Sequence, residues 1–204
     1  MNNLDGVIDL HVHVGPSVAE RIEDALEMYY EAEEAGYKAF IIKDHYSPSM
    51  NVATIIEEHL RKGETRVFGC LCLNNSVGGI NLNAVDVACN MGAKIIFMPT
   101  VSAKNHIDLH KNKVFVGSGK LSVPEKPIYY LDENDNLKPE VIELLEYLSD
   151  EQPDVILGTG HGTAYEIDKL ISKASKLNIK KILVNHLYLS TENWFFLIIG
   201  YYTQ

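Results

Sequence analysis

Eight histidines stand at positions 11, 13, 45, 59, 106, 110, 161 and 186. His11 and His13 lie two apart in the run Ile8-Asp9-Leu10-His11-Val12-His13. On a strand, residues two apart point to the same face, so this spacing makes a chelating pair for a metal ion. Asp9 shares that face. It is placed to orient one ring from behind, because a ligating histidine usually donates its second N–H to a carboxylate or carbonyl. Ile8, Leu10 and Val12 are then expected to face helices. The plainer alternative is an exposed strand edge with two surface histidines, since H-x-H alone occurs by chance.

The other histidines sharpen the choice. His13, His45, His161 and His186 each fall at or just past the end of an apolar, strand-like run, where parallel α/β folds assemble their sites. His106 lies in a loop after such a run. Only His59 and His110 have no such placement. Lys43 shares a face with His45 in Ile41-Ile42-Lys43-Asp44-His45. A lysine there is costly unless paired or used. Three roles stay open: neutralising substrate charge, bridging two metals after carbamylation, or pairing with a nearby carboxylate. In Thr159-Gly160-His161-Gly162-Thr163 two glycines allow close backbone approach before a capped helix begins, and such helix N-termini favour anions. His161 reads as a metal ligand or acid–base group against a purely structural role, and His186, after Asn185, as its counterpart. Three or more histidines with an open position suit zinc, and with added carboxylates iron or manganese. One or two such ions would activate a water and polarise a carbonyl or phosphoryl oxygen, so a hydrolase follows most directly. No G-x-S-x-G or Cys–His signature points to a serine or cysteine nucleophile.

The elements that must position these residues alternate. Strands are expected at residues 7–12, 38–43, 66–73, 94–98, 155–157 and 181–185. Helices are expected at 17–35, 52–62, 82–91, 139–148 and 163–177, with Ile22, Leu26, Tyr29 and Tyr30 on one side of the first. Thr163 and Glu166 have capping-box spacing. Residues 100–136 interrupt the rhythm as a long loop or hairpin, with β-like runs at 113–116 and 128–131 and a turn at 132–136. This alternation specifies an α/β fold with a parallel sheet. No G-x-G-x-x-G or P-loop supports a nucleotide-binding version. The expectation is one domain over residues 1–204, a TIM-like (β/α) barrel that is incomplete, with six to seven parallel strands.

The 204 residues carry 18 basic and 28 acidic side chains, a net charge of −10. With no basic run, nucleic acid is not an expected partner. The composition, 46% hydrophobic and 23% charged, excludes disordered and collagen-like classes. Cys70, Cys72 and Cys89 form no pairing framework and read as core residues, a redox or metal role being the alternative. The start has no signal-peptide pattern, and the apolar run 194–202 is too short to span a membrane. A cytoplasmic protein acting on a small molecule, with no membrane partner, is therefore expected.

Asp9-Leu10-His11-Val12-His13-Val14-Gly15-Pro16 resembles the opening strand of the amidohydrolase-like metal-dependent hydrolases, as do His161 and His186 at successive strand ends. The segments IIKDHYSP (41–48), GGINLNAVDVA (78–88), IIFMPTVSAKNH (95–106) and TGHGTAYE (159–166) resemble, in combination, a little-characterised subfamily of that superfamily. The resemblance covers about residues 5–187. It implies a TIM-like barrel with one or two metals at the strand C-termini, and it places His11, His13, His161 and His186 in ligand positions. Lys43 resembles the bridging lysine only loosely, because in most members that lysine lies on a later strand. Lys43-x-His45 is also similar to the Asp-His after strand two of the related polymerase-and-histidinol-phosphatase phosphoesterases. The chain departs from the pattern at its end. A full barrel usually takes about 250 residues, and the aspartate expected after an eighth strand has no counterpart, so the general base is unassigned.

The leading expectation is thus a zinc-dependent hydrolase, with manganese or iron as alternatives, acting on a C–N, C–O or phosphoester bond. His11, His13, His45, His161 and His186 would supply the ligands, and Lys43 and His106 would be the catalytic residues that hold the substrate. A lyase or decarboxylase could use the same site, with His106 or Lys43 moving the proton. A third alternative is an incomplete barrel that binds metal without turnover and forms a homo-oligomer through its atypical apolar tail, 190–204.

Overall fold

A computed structural model of the chain describes residues 4–111, 117, 119–185 and the backbone of 197–200. The strands β1 (Ile8–Val12), β2 (Ala39–Ile42), β3 (Arg66–Cys72), β4 (Ile95–Phe97), β5 (Ile156–Gly158), β6 (Lys181–Val184) and β7 (Leu197–Gly200) form one sheet in sequential order. The first six are parallel and curl into a half-barrel, an α/β incomplete barrel. β7 runs antiparallel to β6, with Ile199 opposite Ile182. Among the described residues the parallel strands number six, within the expected six to seven.

Helices α1 (Ala25–Ala35), α2 (Met50–Ile55, continued by a π-helical turn, Ile56–Leu60), α3 (Leu82–Asn90), α4 (Lys104–Leu109), α5 (Pro139–Asp150) and α6 (Ala164–Lys176) alternate with the strands, and a short 3-10 turn, Asn75–Val77, follows β3. The strands divide their side chains with a period of two. Phe40, Ile42 and Val67 face out against α1 and α2. Leu71, Ile96, Leu157 and Ile182 face out against α3, α5 and α6. Ile41, Cys70, Cys72, Ile95, Phe97 and Leu183 face in and fill the concave side. All three cysteines are buried and form no disulfide, Cys70 and Cys72 in the inner cluster and Cys89 in the outer one. Among the described residues no helix is long and apolar enough to cross a membrane.

β1 breaks the period. Asp9 pairs with Phe40 and Val12 with Ile42, so three steps on β1 oppose two on β2. The extra residue is a bulge. Leu10 accordingly packs in the inner cluster while Val12 packs in the outer one. The expectation that Leu10 faces helices is thus corrected.

The first helix begins at Ala25, not at 17. Asp24 caps it: its carboxylate accepts from the backbone N–H of Leu26 (2.8 Å) and Glu27 (2.9 Å), and Glu27 accepts from the Asp24 N–H. This capping box stops the helix from extending backwards, and Ile22, expected on its apolar face, is fully exposed. Gly15 donates to the Glu23 carbonyl and Ala25 to the Gly15 carbonyl, so residues 17–24 fold back over the end of β1 as a loop. Asp24→Ala is expected to lower the unfolding free energy by about 1 kcal/mol, measured by urea denaturation; an unchanged midpoint would remove the cap from this account.

The region expected to be a loop or hairpin holds α4. Residues 128–131 make only isolated bridges, Ala103 to Ile128 and Leu131 to Leu137. The run 113–116 lies outside the described residues. Tyr130 ties this excursion to the sheet. Its hydroxyl donates toward the Thr159 (2.9 Å) and Pro99 (3.1 Å) carbonyls and accepts from Gly162 N–H.

Candidate functional site

Six imidazoles form a chain across the C-terminal mouth of the half-barrel. His11 and His13 come from the end of β1, His45 follows β2, His161 follows β5, and His106 and His110 come from α4 and its C-cap. His11 Nε2 and His13 Nε2 stand 3.0 Å apart. The ring centroids of His13 and His45 are 4.8 Å apart, and those of His45 and His161 6.0 Å. The rings of His161 and His106 meet edge to edge, with centroids 4.9 Å apart and their Nδ1 atoms at 2.9 Å. His110 stacks on His106 at 4.2 Å, and its Nδ1 bonds the His106 carbonyl.

The bulge in β1 explains the first pair. Asp9 Oδ1 accepts from the His11 backbone N–H at 2.9 Å, which satisfies a donor that the irregular ladder leaves over. Asp9 was expected to orient a histidine ring; the contact it makes is with the backbone instead.

Lys43 continues β2 on the inner face and is completely buried. Its Nζ lies 3.2 Å from His11 Nε2 and 4.9 Å from the centre of the Phe97 ring. Among the described residues no carboxylate reaches ion-pair distance of it. Burial pushes its ammonium pKa down, the Cys72 and Cys70 thiols oppose that, and the Arg21 charge adds to it. Asp44 turns away: its Oδ1 accepts from the backbone N–H groups of Tyr46 (2.7 Å) and Ser47 (2.9 Å) and shapes the turn after His45.

His45 is held by residues that sequence reasoning missed. Its Nδ1 lies 2.9 Å from Thr100 Oγ1. Asn74, fully buried after β3, donates to the His45 carbonyl and to Thr100 Oγ1 (both 2.7 Å) and accepts from the N–H of Thr100 (2.8 Å) and Ser102 (3.1 Å). Burial, then the charges of Lys43, His13, His161 and His11, hold the His45 imidazole well below the usual histidine range, so His45 is neutral at pH 7.

His161 is set by glycine geometry. Gly160 has φ +65°, and a Cβ there would fall 2.5 Å from the Met98 carbonyl oxygen and closer still to that of Pro99. Gly162 packs under the Tyr130 ring in the same way. The two glycines therefore do allow the close approach expected of them. The helix N-terminus that follows is not open to an anion. Glu166 Oε2 accepts from Thr163 N–H and hydroxyl at 2.9 and 3.0 Å, the expected capping box, and Oε1 accepts from Tyr130 N–H.

The structure thus brings together Lys43, His11, His13, His45, His106 and His161. His186, expected as a ligand, lies outside the described residues. His59 is exposed beside Glu58, away from the mouth. Sequence reasoning missed His110, Arg21, Asn74 and Thr100. The i, i+4 spacing of His106 and His110 would have paired the two on a helix, had that stretch been read as one. Arg21, in the loop expected to be helix, brings Nη2 to 3.5 Å from His13 Nδ1. Among the described residues no group of three or more His, Cys, Asp or Glu side chains closes on a common point as a metal site; the imidazole nitrogens that meet in pairs are those of His11 with His13 and of His106 with His161.

Fold and site together define an incomplete parallel α/β barrel with a histidine-lined mouth. Residues 6–194 match the profile of a family of unknown function, DUF6282, and the chain belongs to that family. No curated protein and no solved structure matches the chain.

Proposed function

We propose that the chain is a metal-dependent hydrolase of small molecules, of the amidohydrolase-like type. The observation that carries this reading is the 3.0 Å separation of His11 Nε2 and His13 Nε2 at the strand C-termini. Two imidazole lone pairs at that distance repel unless a cation, a proton or a metal ion, lies between them. Two nitrogens each about 2.0–2.1 Å from one tetrahedral zinc ion lie about 3.3 Å apart, so a small opening of the pair would seat zinc, or manganese or iron, between the two rings. A third donor is needed, and His186, next in sequence after Asn185, is the residue we assign to it. When bound, the ion supplies Lewis acidity for a water and for the substrate oxygen.

The remaining roles belong to the chain itself. Thr100 Oγ1 accepts from Asn74 and has a second lone pair for an Nδ1–H of His45, which leaves Nε2 as the lone-pair nitrogen of that neutral ring. One proton sits between His106 Nδ1 and His161 Nδ1, since two lone pairs cannot face each other at 2.9 Å. That shared proton gives the mouth an acid–base pair, with His106 as its substrate-side member. Lys43 presents N–H donors beside His11 and positions the substrate.

The test is turnover. Zinc-loaded protein is expected to cleave at least one class within a panel of p-nitrophenyl esters, anilides and phosphoesters above the rate of free zinc. His106→Ala is expected to reduce that rate by about 100-fold without changing bound metal. No turnover by zinc-, manganese- or iron-loaded protein on any class would count against the hydrolase reading.

A further inference from the structure

The chain has three arginines. Arg61 and Arg66 both pair with Glu57. Arg21 does not pair with any carboxylate among the described residues, and its buried Nε has no hydrogen-bond partner. Among the described residues Arg21 reaches His13, Nη2 to Nδ1 at 3.5 Å, which is long for a hydrogen bond. On the other side of the His11–His13 pair lies Lys43, with no carboxylate at ion-pair distance among the described residues. An acidic chain of net charge −10 has thus placed two basic side chains around one pair of imidazoles; Asp9 Oδ1 bonds the His11 backbone and Asp44 Oδ1 the turn at Tyr46, and of the two acids only the more distant charge of Asp44 acts on Lys43. A guanidinium with an unused Nε–H beside Nη2 presents the fork that matches a planar or tetrahedral oxyanion. The α6 N-terminus, the other anion-favouring feature of the mouth, is already filled by Glu166.

We infer that the mouth takes a small molecule bearing an oxyanion, a carboxylate or a phosphate, and that Arg21 is its anchor with Lys43 as the inner donor. This rests on reading the mouth as an active site and names the class of substrate it accepts. The fork of Arg21 Nε and Nη2 holds two oxygens of the anion. Lys43 donates from within in either protonation state. The loop 17–24 is therefore a specificity element, and its departure from helix is what brings Arg21 to the site.

Inorganic phosphate and, in a separate arm, malonate are titrated calorimetrically into the full chain, once after chelator treatment and once after zinc reconstitution. Wild type is expected to bind at least one of the two anions. Arg21→Gln is expected to weaken that binding about tenfold or more, Arg21→Lys less, and Lys94→Gln, at the opposite end of β4, not at all. Arg21 lies in a surface loop, and circular dichroism with thermal melting confirms that each variant folds. Which anion binds distinguishes phosphate from carboxylate. Arginine-dependent binding in the zinc-free chain supports the inference even if no metal is ever retained, in which case the hydrolase reading alone falls. Binding that needs zinc and ignores Arg21→Gln, or no binding of either anion in either form, overturns the inference.

Discussion

Asn74→Ala is expected to destabilise the fold by about 4 kcal/mol. The side chain is fully buried and makes four hydrogen bonds, two as donor and two as acceptor. Alanine leaves the N–H groups of Thr100 and Ser102 and the carbonyl of His45 without these partners inside the protein. Each unsatisfied buried group costs about 1–3 kcal/mol, and relaxation recovers part of the sum. The damage reaches the site directly, because Asn74 ties the turn after β2 to the loop after β4 and fixes Thr100 against His45. Urea denaturation monitored by circular dichroism measures the loss. A cost below about 1 kcal/mol would mean that water or rearrangement replaces these bonds, and Asn74 would no longer be the post that holds His45.

Gly160→Ala is expected to cost about 3 kcal/mol. The residue sits at φ +65°, where an L side chain is strained by about 1 kcal/mol. The added methyl would also meet the Met98 and Pro99 carbonyl oxygens, which belong to backbone and not to flexible side chains. The loop after β5 must then lift from the loop after β4. His161, whose N–H bonds the Pro99 carbonyl at 2.9 Å, moves with it. The same denaturation experiment reads the stability. A variant as stable as wild type would show that the two loops separate freely, and the placement of His161 would lose its explanation.

The sequence made the sheet legible because parallel strands buried on both faces are continuous apolar runs. KAFIIK, RVFGCLCL, KIIFM and KILVN leave little alternative, and all six parallel strands form where the runs fall. It also marked the C-terminal ends of those runs, where polar residues stand out against the apolar strand, and there His13, Lys43, His45 and His161 are close in space. Three features were hidden. The bulge in β1 leaves no mark in composition, so alternation misassigned Leu10 and gave Asp9 to the wrong partner. The Asp24 cap competes with a helical period that runs through Ile22, and local hydrogen bonding wins over periodicity. α4 is six residues long without a side-chain cap, too short for a periodic signal, so His110 was left without a place in the site. Arg21 was illegible for the same reason as Ile22: a loop read as helix puts its side chains in the wrong place.

We propose that the imidazoles at the mouth hold a metal ion. The direct measurement is metal content by elemental analysis after zinc reconstitution and desalting, on wild type and on the His11→Ala/His13→Ala double variant, with circular dichroism to confirm that both are folded. The account predicts about one or two equivalents of zinc in wild type and none in the folded double variant, which lacks both nitrogens of the His11–His13 pair. A wild type that retains no zinc, manganese or iron, or a double variant that retains as much as wild type, would contradict it.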